Sequence, residues 1–195
     1  MTFRGSGFVA ASTPHMLLAR HNFELLRIRD LLNGPRFNRS LEIGCGFGRL
    51  SLAFAEHSIH HVAVDINNDA LTLARSTYPN IDFRQASAAE LPFADGYFDL
   101  VSTWTVLQHV RPESIQRAAR EVARVTSPLG TLLMCEETRL AGQPPPRNAH
   151  TWHRTVDSYR ALFPSFTLVS DAFIDRIDRI SGMTSPGRVM LFRGK

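Results

Sequence analysis

Leu41-Glu42-Ile43-Gly44-Cys45-Gly46-Phe47-Gly48 is the stretch on which the fold turns. Apolar and acidic residues run into three glycines at alternate positions, and a helical pattern over 49–56 follows at once. The reading is a strand, a tight turn, then a helix. Glycine supplies positive φ and lets backbone approach a ligand closely. The helix start behind the turn offers unpaired N–H groups and the positive end of a dipole. Such a loop is suited to a small polar cofactor.

A dinucleotide loop reads G-x-G-x-x-G, with its third glycine three places after the second. Here that place is Arg49, and the third glycine has moved up to Gly48. The pyrophosphate fingerprint is therefore broken, and an ordinary glycine-rich turn stays open as the plain alternative. Asp65 closes the next apolar run, Val62-Ala63-Val64, 21 residues beyond Gly44. In a βαβ unit that spacing sets a carboxylate at the carboxyl end of the neighbouring strand, beside the turn. It can accept charge-assisted hydrogen bonds from both hydroxyls of a ribose. This feature suits any adenosine cofactor and separates none of them.

The rest of the chain alternates strands and helices. Apolar spacing predicts a helix over 14–32, interrupted near His21-Asn22 and stopped by Asn33-Gly34-Pro35. Strands are predicted over 40–43, 61–65, 81–86, 98–102 and 131–136. Asn67-Asn68 caps a helix over 69–78. A helix over 156–163 is closed by Pro164, and strands over 166–174 and 188–192, joined across 182–187, end the chain. The three histidines within 57–61 have no Asp, Glu or Cys close by, so they read as a polar turn rather than a metal site. Residues 1–11 show little periodicity. Pro144-Pro145-Pro146 makes the run 138–150 a stiff, polyproline-like loop at the carboxyl end of the sheet, read as a substrate-side wall.

Three further stretches make the pattern specific. They are Ala88-Ala89-Glu90-Leu91-Pro92-Phe93-Ala94-Asp95-Gly96-Tyr97-Phe98-Asp99-Leu100-Val101, then Val106-Leu107-Gln108-His109-Val110, then Glu121-Val122-Ala123-Arg124-Val125-Thr126-Ser127-Pro128-Leu129-Gly130-Thr131. With the glycine loop, and in this order, they resemble the core of the class I S-adenosylmethionine (SAM)-dependent methyltransferases of small-molecule type. The resemblance covers residues 41–136, about half the chain. It implies an α/β fold: a Rossmann-like, seven-stranded, mostly parallel sheet with an antiparallel last strand and helices on both faces. It further implies one domain over 1–195, with an N-terminal helical segment (1–39), a SAM-binding core (40–136) and a substrate-side C-terminal part (137–195).

The implied cofactor is SAM, with S-adenosylhomocysteine as product, and the implied reaction is methyl transfer to an oxygen or nitrogen of a small-molecule acceptor. By the resemblance, Glu42 holds the methionine end, and Gly44, Cys45, Gly46 and Gly48 form the loop. Asp65 takes the ribose and Ile66 packs on the adenine. Thr103 and Trp104 face the sulfonium and the substrate. Ser87 stands where the family usually has an acidic residue for the adenine amino group, so recognition leans on the backbone of Ala88. Pro128-Leu129-Gly130 departs from the family's Pro-Gly-Gly, a turn change that is neutral for chemistry. His109 is the first candidate for the base, with a bracing role as its equal alternative. His150, His153, Tyr159 and Glu136 rank second. Ser102-Thr103-Trp104-Thr105 lacks the Pro-Pro-aromatic motif of amino-methylating DNA enzymes, neither cysteine sits beside a proline as a cytosine nucleophile would, and no Asp-Asn metal pattern is found. Two other readings stand beside this one. An NAD-type oxidoreductase is disfavoured by Arg49, and a non-catalytic SAM-binding scaffold draws only on Ser87.

Bulk properties agree. The chain has 195 residues, 44% hydrophobic and 21% charged, which fits one folded domain. Its net charge of +4 comes without a dense basic run or an aromatic platform, so nucleic acid is not the favoured partner. No apolar run reaches spanning length, so no membrane partner is expected, and no signal-peptide pattern opens the chain. Cys45 and Cys135 form no C-x-x-C, which fits a reducing, cytoplasmic setting. Cys45 reads as a small side chain that fits its loop. Oligomeric state is not legible.

Overall fold

The computed structural model describes residues 14–139, 150–173 and 187–195. Residues 1–11, the proline run at 144–146 and the join over 182–186 lie outside these described residues. The elements in order are α1 (Pro14–Leu31), β1 (Phe37–Ile43), α2 (Ser51–Glu56), β2 (Ser58–Asp65), α3 (Asn68–Thr77), β3 (Asp82–Gln85), β4 (Phe98–Trp104), α4 (Ile115–Val125), β5 (Thr126–Glu137), α5 (Val156–Leu162), β6 (Phe166–Phe173) and β7 (Gly187–Gly194). A short 3-10 turn, Leu107–His109, follows β4.

The sheet has seven strands in the order β3-β2-β1-β4-β5-β7-β6. Strands β1 to β5 pair in parallel, and β7 runs antiparallel between β5 and β6. Alternation along the strands sorts the core. Leu41, Ile43, Val101, Leu132 and Met134 face α4 and α5, together with Val122, Tyr159 and Phe163. Leu100, Trp104, Leu133 and Cys135 face α1 and α2, with Ile28, Leu50 and Phe54. The α4 helix forms because Ile115, Ala118, Ala119, Val122 and Val125 repeat every three or four residues and are all buried. Asn67 caps α3 by accepting from the N–H groups of Asp69 (3.0 Å) and Ala70 (3.2 Å).

Several boundaries differ from the sequence reading. The α1 helix runs unbroken through His21-Asn22, where neither a glycine nor a proline interrupts the N–H ladder. Strand β2 starts at Ser58 rather than His61, so His60 lies within it rather than in a turn, and His61 Nδ1 bonds the Ser40 hydroxyl at 2.7 Å. Strand β5 starts at Thr126 and takes in Pro128-Leu129-Gly130, with a register shift against β4 between Phe98 and Leu100. Among the described residues no helix is long and apolar enough to cross a membrane. The parallel order brings the carboxyl ends of β1 to β5 to one edge, where ligands of such sheets bind.

Candidate functional site

The turn after β1 needs its glycines. Gly44, Gly46 and Gly48 have φ of 75°, 55° and 82°. A Cβ on Gly44 would sit 2.3 Å from Val106 Cγ2, and one on Gly48 would sit 3.1 Å from both Phe83 and Tyr78. A Cβ on Gly46 would meet nothing within 4 Å, so this backbone lies open. The Gly44 and Cys45 N–H groups donate to the Val64 carbonyl at 2.7 and 3.0 Å, tying the turn to β2. Asp65 completes the tie. Its Oδ2 accepts from Gly46 N–H at 2.7 Å and its Oδ1 from Asn67 N–H at 2.8 Å.

These residues open onto a cavity of about 450 Å³, within the range of small-molecule pockets. Gly44, Asp65, Ile66, Ser87, Ala88 and His109 line it, together with Ile43, Ala86, Ala89, Thr105, Val106, Val110 and Ser114. Ile66 is 70% exposed, an apolar side chain presented at the rim, and Gln85 Nε2 donates to its carbonyl at 3.1 Å. The Ser87 hydroxyl accepts from Ala89 N–H at 3.2 Å. Among the described residues, Asp65 is the one acidic residue of the lining, and no Arg or Lys joins it. That chemistry suits a cationic adenosine ligand and offers a pyrophosphate no counter-charge.

Other predicted site residues stand behind the lining. Glu42 is buried between β1 and α2, where the Ser51 hydroxyl donates to it and His61 Nε2 lies 3.8 Å away. Cys45 packs with Ala63, Leu71, Ala74 and Phe83, and burial pushes its thiol far above the usual range, with the Glu42 and Asp65 charges adding. Thr103 and Trp104 belong to β4 and point to opposite faces of the sheet. The Thr103 hydroxyl donates to Glu136 Oε1 at 2.9 Å, and Trp104 packs in the α1–α2 core. The chain turns into the cavity only at Thr105, a β-branched residue at φ 57° whose N–H donates to the Cys135 carbonyl at 2.6 Å. That conformation is costly without glycine and marks a built site.

The loop after β4 is held from two sides. Glu136, fully buried, accepts from the N–H groups of Val106, Leu107 and Gln108 at 3.3, 3.1 and 3.0 Å, besides Thr103. Burial pushes its carboxyl up, against the pull of these four donors. Arg154 donates to the Leu107 and Val110 carbonyls, each at 2.7 Å, and Trp152 N–H donates to the Gln108 carbonyl at 2.7 Å. His109 is exposed at the cavity, its Nδ1 2.8 Å from the His150 carbonyl oxygen. Of the second-rank candidates, His153 pairs with Glu137 at 2.6 Å, and Tyr159 is wholly buried, its phenol driven up by burial. Glu136 is spent on the loop.

Residues 41–130 match the model of a family described as a methyltransferase domain. The chain is 32% identical over 139 residues to a protein of Mycobacterium tuberculosis named "Probable S-adenosylmethionine-dependent methyltransferase", covering 69% of this chain and 48% of that one. It is 30% identical over 154 residues to the ubiquinone/menaquinone biosynthesis C-methyltransferase UbiE of Vibrio vulnificus, covering 68% and 58%. The chain belongs to the class I SAM-dependent methyltransferase family. It spans about half the length of the curated relatives it matches. The PH0226 protein of Pyrococcus horikoshii shares the fold, with a TM-score of 0.72 at 20% identity and 91% of each chain covered. The [4+2]-cyclase SpnF shares it too, with a TM-score of 0.71 at 18% identity and 86% and 80% covered.

The family's cofactor is SAM, which decides against NAD, in keeping with the broken glycine fingerprint and the acidic lining. Residues that the sequence reading did not assign to the site are Thr105, Val106, Gln108 and Arg154. Val106 and Gln108 lie in a stretch already singled out for its resemblance. Neither a positive φ at a threonine nor the reach of Arg154 leaves a local sequence signal.

Proposed function

We propose that the chain transfers the methyl group of SAM to an oxygen or nitrogen of a small-molecule acceptor, with His109 as the base. The observation that carries this reading is the sharing of one cavity by His109 and the adenosine-side residues Asp65, Ile66, Ser87 and Ala88. Asp65 would accept from the ribose hydroxyls with the lone pairs left by Gly46 and Asn67 N–H, Ile66 would cover the adenine, and the open backbone of Gly46 would admit the methionine part. Glu42 would act from beneath the loop, as a fixed negative charge and through Ser51. Cys45 and Gly48 shape the loop from behind, and Thr103 and Trp104 support the mouth rather than face it.

SAM supplies a methyl group on a sulfonium, a good leaving group. With SAM bound, the acceptor atom would bond the methyl carbon as the carbon–sulfur bond broke, and the electron pair would stay on sulfur. The acceptor's proton passes to His109 Nε2, the ring nitrogen that the His150 carbonyl does not hold. Alignment in the cavity supplies most of the acceleration, and a placed base adds on the order of 10²–10⁴-fold.

The test is methyl transfer from radiolabelled SAM to a panel of phenols, hydroxy acids, primary amines and activated ring carbons. Turnover of an oxygen or nitrogen acceptor, lost on His109→Ala with SAM affinity kept, is the expected result. Turnover of ring carbons alone would move the acceptor class toward that named for UbiE. SAM binding without turnover of any class would favour the non-catalytic reading.

A further inference from the structure

Gln108 is 2% exposed and held at every polar atom. Its N–H donates to Glu136 Oε2 at 3.0 Å and its carbonyl accepts from Trp152 N–H at 2.7 Å. Its side-chain Oε1 accepts from Glu137 N–H at 2.6 Å. A backbone N–H only donates, so the atom facing it must be the amide oxygen. The amide nitrogen then faces the other way, 3.4 Å from His109 Nε2. An amide NH₂ offers hydrogens and no lone pair. His109 Nε2 must therefore present its own lone pair there. On the far side of the ring, Nδ1 lies 2.8 Å from the His150 carbonyl oxygen, which only accepts, so Nδ1 carries the proton. Two contacts from different parts of the chain select the same tautomer.

We propose that Gln108 is a positioning residue for methyl transfer: its amide, anchored on Glu137 N–H, fixes His109 as the neutral Nδ1–H tautomer with a bare Nε2. This rests on the reading of His109 as the base. An imidazole left to itself in water carries its proton mainly on Nε2, the form that cannot accept a proton there. The Gln108 contact is long, so an acceptor hydroxyl at ordinary hydrogen-bond distance displaces it. Among the described residues, the charged groups on the elements around the ring are the buried Glu136 under the loop, the Glu137–His153 pair, Arg154 on the loop carbonyls and Asp65 in the same cavity. All are common to the wild type and the variant below, so the difference between the two isolates Gln108.

The experiment is long-range ¹H–¹⁵N NMR of the histidine ring nitrogens in the full chain, with His109 assigned by its loss in His109→Ala. The wild type should show the Nδ1–H pattern above the titration range. In Gln108→Glu one carboxylate oxygen still accepts from Glu137 N–H, and the other now draws a proton onto Nε2. The ring should then gain its second proton at a pH higher by about one unit than in the wild type. A wild-type Nε2–H pattern overturns the proposal without any variant, and so does an unchanged titration in a folded Gln108→Glu. The acceptor panel separates this from failure of the base reading. An Nδ1–H ring whose removal leaves methyl transfer intact would keep the tautomer and remove the role.

Discussion

Gly44→Ala tests the join between the glycine loop and the loop after β4. At φ 75° an alanine sits in the left-handed region, which costs roughly 1–2 kcal/mol. Its Cβ would also lie 2.3 Å from Val106 Cγ2 and 3.0 Å from Cγ1. Val106 cannot swing aside freely, because it is β-branched and its N–H is held by Glu136. Forcing a methyl into such a place costs roughly 1–3 kcal/mol. The sum is roughly 2–5 kcal/mol, which at an m-value of about 2.5 kcal/mol/M lowers the urea midpoint by about 1–2 M. Val106→Ala in the same chain removes both γ-methyls but leaves Cβ, which the new methyl would still meet at 3.2 Å. The double variant should therefore recover about 1–2 kcal/mol of the loss and keep the backbone part. Urea unfolding of the four proteins measures the cycle. A Gly44→Ala chain as stable as the wild type, or strictly additive losses, would refute the reasoning.

Three other outcomes are expected. Asp65→Ala should weaken SAM binding by about 2–3 kcal/mol, since it removes a charged acceptor and frees the Gly46 and Asn67 N–H groups; calorimetric titration measures it. The Arg124 guanidinium, with Leu91 N–H, holds the Glu121 carboxyl down at about 2 against an ordinary 4.5. A depressed carboxyl gives stability that is present above its unfolded value and lost as pH falls through the folded one. Between pH 5 and 2 the pair should therefore give up about 1–2 kcal/mol after solvent screening, and Glu121→Gln should flatten that part of a urea-midpoint profile. Cys45 and Cys135 are both buried, so native protein should resist alkylation at pH 8 and react fully in urea; rapid native labelling would contradict the packing of Cys45 against Ala63 and Leu71.

What the sequence disclosed was local. The run from Leu41 to Gly48 carries its strand, turn and helix within one short window, and Asp65 follows from the fixed length of a βαβ unit. Ser87 and Ala88, assigned through the family resemblance, line the same cavity. Trp104 shows where this ended. Reading β4 to Ser102 left Thr103 and Trp104 past the strand, facing the mouth. Two more strand residues send one side chain to each face of the sheet, and Trp104 goes into the core. No pattern announced that extension, because the turn is made by a threonine at positive φ. The clamps on the next loop were hidden for another reason: Arg154 lies 47 residues from Leu107 and Glu136 28 from Gln108, and polar contacts at such separations have no period.

Those clamps explain how a weak element holds His109 at the cavity. The turn Leu107–His109 is three residues long, far too short to persist on its own. The Leu107 and Gln108 N–H groups meet the Glu136 carboxylate, and the carbonyls of Leu107 and of Val110, just past the turn, meet the Arg154 guanidinium. Negative charge at the amino end and positive charge at the carboxyl end is the arrangement that the peptide dipoles favour. Arg154 lies well beyond the segment that resembles the family core, and Glu136 is the last residue of that segment. Val106, at the head of the same loop, fills the space behind Gly44. The glycine turn, His109 and the segment 150–154 are thus joined through direct contacts. A substitution in residues 150–154 that shifts this segment should therefore also be felt at His109 through the His150 carbonyl, and at Gly44 through Val106.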